Sequence, residues 1–203
     1  MTAPAPTMVD VAFPLAGTTL PRDHRRLLAD ALDASLPWLA ATPGAGVHRI
    51  KVVEGDAATA LVSRRSRLVV RAPRARAGVL GALAGEALAV GGHRVRLGAP
   101  DVRELLAHRT LYAEFVVAPA DDELAFLEGV ERELAALGVT CGRVCGRPRA
   151  IDGGSGPLAG FSLMLDALSP ADSMRILEQG IGAHRRLGCG LFVPHRSAAA
   201  VGA

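Results

Sequence analysis

The sequence predicts an α+β protein of two tandem ferredoxin-like halves, each β-α-β-β-α-β, with a glycine-rich loop near the C-terminus. Three observations carry this. Apolar alternation and helix-spaced leucines recur in the same order twice within 203 residues, a length that holds one large domain or two of about 100 residues each. Half of the residues are hydrophobic and 21% are charged, the balance of a packed globular chain. Four glycines around a basic triplet then follow the last helical stretch.

In the first half, residues 1–100, Val9, Val11, Phe13 and Leu15 alternate along a strand. Pro21 opens a helix in which Leu28, Leu32, Leu36 and Leu39 recur at four- and three-residue steps. The stretch from Thr42 through Pro43, Gly44 and Gly46 ends it as a loop. Residues 47–53 and 67–72 read as strands joined by a turn at Glu54, Gly55 and Asp56. Residues 73–88 read as a second helix with Val79, Leu80, Leu83 and Leu88 facing inward. Gly91 and Gly92 make a turn, and residues 93–97 are the fourth strand, with Val95 and Leu97 inside.

The second half, residues 101–203, repeats the order after a linker at 98–109. Residues 110–117 are a strand, and Asp121 caps a helix whose stripe is Leu124, Leu127, Val130, Leu134 and Leu137, with Gly138 at its end. Residues 139–144 and 158–165 are strand-like. Ser169 and Pro170 start a last helix that stops at Gly180, and residues 191–193 close the half as a short strand. Two split βαβ units in one chain are compatible with many functions.

Charge and cysteines narrow the classes. The formal net charge is only +3, and Lys51 is the single lysine among 23 basic residues, so the location of the arginines matters more than their sum. Cys141, Cys145 and Cys189 are an odd count without zinc spacing, which argues against a disulfide framework or a metal knot. The N-terminal residues lack a basic, apolar leader, and no stretch approaches the ~20 apolar residues of a membrane span. The expectation is a cytoplasmic protein with no membrane partner and no cofactor.

Residues 180–193 read GIGAHRRLGCGLFV. Gly180, Gly182, Gly188 and Gly190 allow a backbone to press against a ligand and offer N–H groups to phosphate. His184, Arg185 and Arg186 add charge at the same place.

A G-x-G-x(5)-G-x-G-x-F loop ending a doubled ferredoxin-like chain resembles the repeat-associated RNA-binding superfamily, and within it the Cas-six endoribonucleases that cut CRISPR precursor RNA. FPLAGTTLP at 13–21, RRSRL at 64–68 and GCGLFVPHR at 188–196 resemble the myxobacterial-type branch. The resemblance implies metal-independent cleavage. The 2′-hydroxyl upstream of the scissile phosphate attacks, leaving a 2′,3′-cyclic phosphate and a 5′-hydroxyl. It also implies CRISPR repeat RNA, stem-loop or single-stranded, as partner, together with other subunits of a type I effector complex.

Such chemistry needs a base, an acid and a cation for the phosphorane. The family places its histidine at or shortly after the first helix, and two residues here fit. His48 lies where the loop after that helix enters the next strand, and His24 lies in the helix's first turn, where the dipole disfavours its protonated form. Arg64, Arg65 and Arg67 are candidates for transition-state charge. Arg143, Arg147 and Arg149, in a Gly/Pro-rich stretch read as a loop over 141–156, are candidates to grip an RNA stem. His93, His108 and His195 read as structural or solvated, and the acids Asp121, Asp122, Glu123, Glu128, Glu131 and Glu133 as a solvated helix face. A non-cleaving RNA-binding subunit, or a metabolic enzyme of the same fold, remain as alternatives.

Overall fold

The alternating residues near the N-terminus form β1 (Met8–Ala16), in a computed structural model that describes residues 6–119 and 122–196. In order follow β2 (Thr19–Pro21), α1 (Arg25–Asp33), β3 (Gly46–Val47), β4 (Val53–Glu54), β5 (Thr59–Leu61), β6 (Arg67–Pro73), α2 (Ala77–Gly81), β7 (Ala87–Val90), β8 (His93–Leu97) and β9 (Asp101–Glu104). Then come β10 (Leu111–Val117), α3 (Glu123–Ala136), β11 (Gly142–Asp152), β12 (Pro157–Asp166), α4 (Pro170–Gln179) and β13 (Val193–Pro194). The chain divides into two compact units. One runs to Glu104 and takes in Arg186–Gly188, and the other runs from Leu105 to Arg185 and resumes at Cys189.

In the first unit β1 is central. It pairs antiparallel with β6, Val11 opposite Val70, and β3 continues the sheet beyond β6. On its other side β1 pairs with β8 at Leu15 and Ala16 and with β9 from Val9 to Ala12, while β7 pairs with β8. Val9, Val11, Phe13, Leu68 and Val70 are fully buried, because one parity of an alternating strand faces the core. A separate small sheet has the order β2-β5-β4.

The second unit has one sheet, in the order β11-β12-β10-β13, all antiparallel. Numbered within its own half, each main sheet runs second strand, third, first, fourth. That is the ferredoxin-like arrangement. Phe126 of α3 stacks on Phe161 of β12 with ring centroids 4.7 Å apart.

Several boundaries differ from the sequence reading. The strand expected at 47–53 is split: the His48 amide still donates to Val69 at 2.9 Å, then the chain leaves for the small sheet, where Val53 pairs with Leu61. The helix expected at 73–88 ends at Gly81. Gly78, Gly81 and Gly85 each cost about 1 kcal/mol against Ala in a helix, and beyond Gly85 (φ 88°) Leu88 and Val90 are buried in a strand while Ala87 and Ala89 are exposed. Val79, expected inside, is exposed. Pro21 ends β2, so α1 begins at Arg25 with His24 as its flanking residue. Part of the expected linker is β9. Residues 141–156 are no loop: most of them are β11 and its turn into β12.

Asp121 lies outside the described residues, and Asp122 caps α3, its carboxylate accepting from the amides of Leu124 and Ala125 at 2.9 and 3.1 Å. Leu124 is exposed and Phe126 takes its place in the core. The last helix starts and stops where expected, with Ser169 Oγ accepting from the Asp172 amide and Gly180 at φ 67°. Among the described residues no helix is long and apolar enough to cross a membrane.

Candidate functional site

The glycine-rich segment folds on itself in the second unit. The Gly180 amide donates to Ile176 at 2.8 Å, that of Gly182 to the Glu133 carboxylate at 2.8 Å, and that of Gly190 to Phe115 at 2.8 Å. Gly180, Gly182 and Gly190 have φ of 67°, 78° and 64°. A Cβ on Gly190 would fall on the Ile181 carbonyl oxygen, and one on Gly180 on the carbonyl of Gly190. These glycines serve close backbone packing, and the amides expected to face phosphate hold protein acceptors. Arg185 is a half-buried strut whose Nη1 donates to the Gly182 carbonyl at 2.8 Å, while His184 is exposed at φ 61°.

The turn Arg186–Gly188 belongs to the first unit and is held by α1. Arg186 pairs with Asp33 at 2.6 Å and stands 3.7 Å from Asp30. Arg25 is buried, and its Nη1 donates to the carbonyls of Leu187 and Gly188 at 3.0 and 3.3 Å. At Gly188 (φ 77°) an added Cβ would stand 2.9 Å from the Val47 carbonyl oxygen and 3.1 Å from the Arg49 amide. The backbone of Gly188 therefore lies against the peptide groups on both sides of His48.

His48 itself faces a buried ion pair. Asp10 of β1 and Arg71 of β6 stand opposite each other in register, and Arg71 is in turn opposite Gly46, two residues before His48. Arg71 binds both carboxylate oxygens of Asp10, Nε to Oδ1 at 2.8 Å and Nη2 to Oδ2 at 2.9 Å, and is 1% exposed. His48 Nε2 stands 3.6 Å from Asp10 Oδ1. The His48 side chain is 16% exposed, but Nε2 has no share in that exposure.

Burial alone would raise the Asp10 pKa. The nearby His48 ring and the Arg71 guanidinium, which donates to both carboxylate oxygens, outweigh it and hold the carboxyl well below its usual range. Burial pushes the His48 imidazole down, the Asp10 carboxylate works against that, and the Arg71 and Lys51 charges add to the lowering. This balance favours the neutral imidazole at neutral pH.

His24 is fully buried. Its Nδ1 is 3.0 Å from the Pro21 carbonyl oxygen, and its buried Nε2 has no hydrogen-bond partner among the described residues. Burial lowers its pKa, the Pro21 carbonyl opposes this, and the Arg49 and Arg25 charges lower it further. With Nδ1–H on Pro21, its lone pair points into the protein.

The family model described as Cas6 Crispr matches residues 9–197. The chain belongs to the Cas6 family. A relative from Myxococcus xanthus (strain DK1622), named CRISPR-associated endonuclease Cas6, is 37% identical over 194 residues, 95% of this chain and 84% of the relative. Among solved structures, a CRISPR associated protein Cas6 has a TM-score of 0.66 at 11% identity, covering 93% of this chain and 100% of its own. The Cse3 of Thermus thermophilus bound to an RNA representing a pre-cleavage complex has a TM-score of 0.51 at 13% identity, covering 92% and 98%. At such identities the likeness is one of fold.

In this Cas6 chain, an endonuclease by family, the other expected side chains are spread along both units. Arg64 and Arg65 are exposed at the turn before β6, whereas Arg67 is partly buried and donates to the carbonyls of Arg64 and Ser66 at 2.7 and 2.9 Å. Arg147 is exposed where the β11–β12 register shifts, and Arg149 donates to the Glu114 carbonyl. Among the described residues no group of three or more His, Cys, Asp or Glu is placed to hold a metal ion.

Sequence reasoning missed Asp10, Arg71 and Arg25. The Arg25 signal was present: it stands three residues before Leu28 and seven before Leu32, an arginine in an apolar stripe. Asp10 and Arg71 gave no such signal, because each sits among strand residues that the sequence alone does not pair.

Proposed function

We propose that this Cas6 protein cuts CRISPR precursor RNA within its repeats without a metal, leaving a 2′,3′-cyclic phosphate and a 5′-hydroxyl. The observation that carries the reading is His48: a neutral imidazole beside the Asp10 carboxylate, its backbone packed against Gly188 of the glycine-rich segment. With Nε2–H directed to Asp10, the free lone pair is on Nδ1 and takes the proton of the 2′-hydroxyl. The 2′-oxygen then attacks phosphorus, the bond from phosphorus to the 5′-oxygen breaks, and that oxygen leaves with a proton returned from solvent. His24 is the second candidate, but its lone pair is enclosed.

Exposed Arg64, Arg65, Arg147 and His184 are free to meet RNA phosphates directly. Arg67, Arg149, Arg185 and Arg186 hold bonds within the chain that RNA contacts would exchange. Gly180, Gly182, Gly188 and Gly190 support RNA binding through the shape they give this segment. The repeat RNA, stem-loop or single-stranded, is the partner of the site, with other subunits of a type I effector complex receiving the product.

The test is incubation of the protein with its cognate repeat RNA in EDTA, followed by analysis of the new ends. One cut per repeat with a cyclic phosphate, abolished by a deoxyribose upstream of the scissile phosphate, is the expected result. A strict divalent requirement overturns the metal-free chemistry. Tight repeat binding without any cut makes the chain a binding subunit.

A further inference from the structure

We infer that Asp10 and Arg71 are positioning residues of the cleavage reaction, Asp10 holding His48 in the tautomer that leaves Nδ1 free and Arg71 holding Asp10. The inference rests on the proposed role of His48. A guanidinium that is 1% exposed, bidentate on a carboxylate in the middle of a sheet, is not something the fold requires. Well-packed apolar residues of the same volume usually serve stability as well or better than a buried ion pair. The Asp10 carboxylate also faces His48 Nε2 at 3.6 Å, a buried ring nitrogen that finds no hydrogen-bond partner among the described residues.

The arrangement has a definite electrostatic consequence. While His48 is neutral, Asp10 and Arg71 cancel. When the imidazole takes the 2′-hydroxyl proton, its new charge faces the carboxylate of Asp10, and Arg71 and Lys51 oppose it. The charges that face the imidazole are therefore Asp10 from β1, Arg71 from β6 and Lys51 from the segment after β3. The turn that lies against its backbone brings Arg25 Nη1, held on the Leu187 and Gly188 carbonyls. Asp10 stabilises the imidazolium of the transition state, and Arg71 keeps that stabilisation from leaving His48 protonated at rest.

The experiment is single-turnover cleavage of repeat RNA across pH, in EDTA, for the parent and for Asp10→Asn, Arg71→Met and His48→Ala. Asp10→Asn should bind repeat RNA as the parent does and cleave roughly 10- to 10⁴-fold more slowly, the range between loss of an orienting partner and loss of a triad carboxylate. The pH midpoint of its rate profile should move lower, because the carboxylate that favours the imidazolium is gone. Arg71→Met should move that midpoint higher, because the opposing cation is gone. Slower cleavage in both with unmoved midpoints makes the pair structural only and overturns the inference.

If Asp10→Asn cleaves at the parental rate while His48→Ala is inactive, the positioning role fails and the base stands. If His48→Ala also cleaves at the parental rate, the base itself is misplaced. Should the variants fold poorly, histidine ¹⁵N spectra of the parent decide the matter, with the His48 signal identified by its loss in His48→Gln. The Nε2–H tautomer supports the inference and the Nδ1–H tautomer overturns it.

Discussion

The Arg25 guanidinium, at the start of α1, donates to the carbonyl of Leu187 across 162 positions of sequence. Through it a helix near one end of the chain holds the turn that lies against His48. Arg25→Met removes the charged donor from two carbonyls, and hydrogen bonds to charged groups contribute about 1.5–3 kcal/mol each way. A loss of that size in urea unfolding is expected, with weaker binding of repeat RNA. Parental stability and parental binding together would mean that the turn holds itself.

Gly188 and Gly92 separate packing from backbone strain. Both have positive φ, 77° and 84°, but a Cβ at Gly92 meets open space while one at Gly188 meets the Val47 and Arg49 backbones. Gly92→Ala should cost only the left-handed penalty of ~1–2 kcal/mol. Gly188→Ala should cost a further ~1–3 kcal/mol for overpacking against groups that cannot rotate away. It should also slow cleavage, since those groups carry His48. Equal unfolding midpoints for the two variants count against this close approach.

His48→Ala should bind repeat RNA like the parent and cleave about 10²- to 10⁴-fold more slowly, the usual range for loss of a general base. His24→Ala should instead lose stability, because its ring fills a sealed site, and keep a larger share of the cleavage rate. The reverse pattern would transfer the base to His24.

Both histidines have folded-state pKa values below the ordinary 6.5. The unfolded chain therefore binds their protons first as pH falls. Their contribution to stability is complete above about pH 6.5 and is lost as pH falls through the lower folded-state values, at most about 1.4 kcal/mol per pH unit for each group. Chemical denaturation from pH 7.5 to 4.5 should show this decline, and His24→Gln should make it shallower. A flat profile would mean that the buried rings titrate normally.

Arg186 holds Asp33 at 2.6 Å on the surface of α1. If RNA phosphate takes its place, Arg186→Ala should weaken repeat binding and reduce the slope of log affinity against log salt by about 0.7–0.9, the release of one counterion. Asp33→Asn should strengthen binding, since the competing carboxylate is gone. An unchanged salt slope would leave Arg186 with Asp33 alone.

By itself the sequence determined the repeated ferredoxin-like pattern and the ends of its best-signalled elements. Ser169 with Pro170, Gly138 and Gly180 act through local backbone geometry, and alternation such as Val9, Val11 and Phe13 is enforced by one buried face. The same local reading failed at residues 73–88, where alanines hide whether the period is two or 3.6. It failed again at 141–156, where Gly and Pro suggest a loop but pairing with β12 makes a strand.

Only the tertiary structure decided what His48 faces. Asp10, His48 and Arg71 meet through strand register, and Arg25, Leu187 and Gly188 through packing of a distant turn on α1. Neither relation leaves a periodic trace in the chain, because register and long-range docking are set by the whole packed unit rather than by the residues next to each partner.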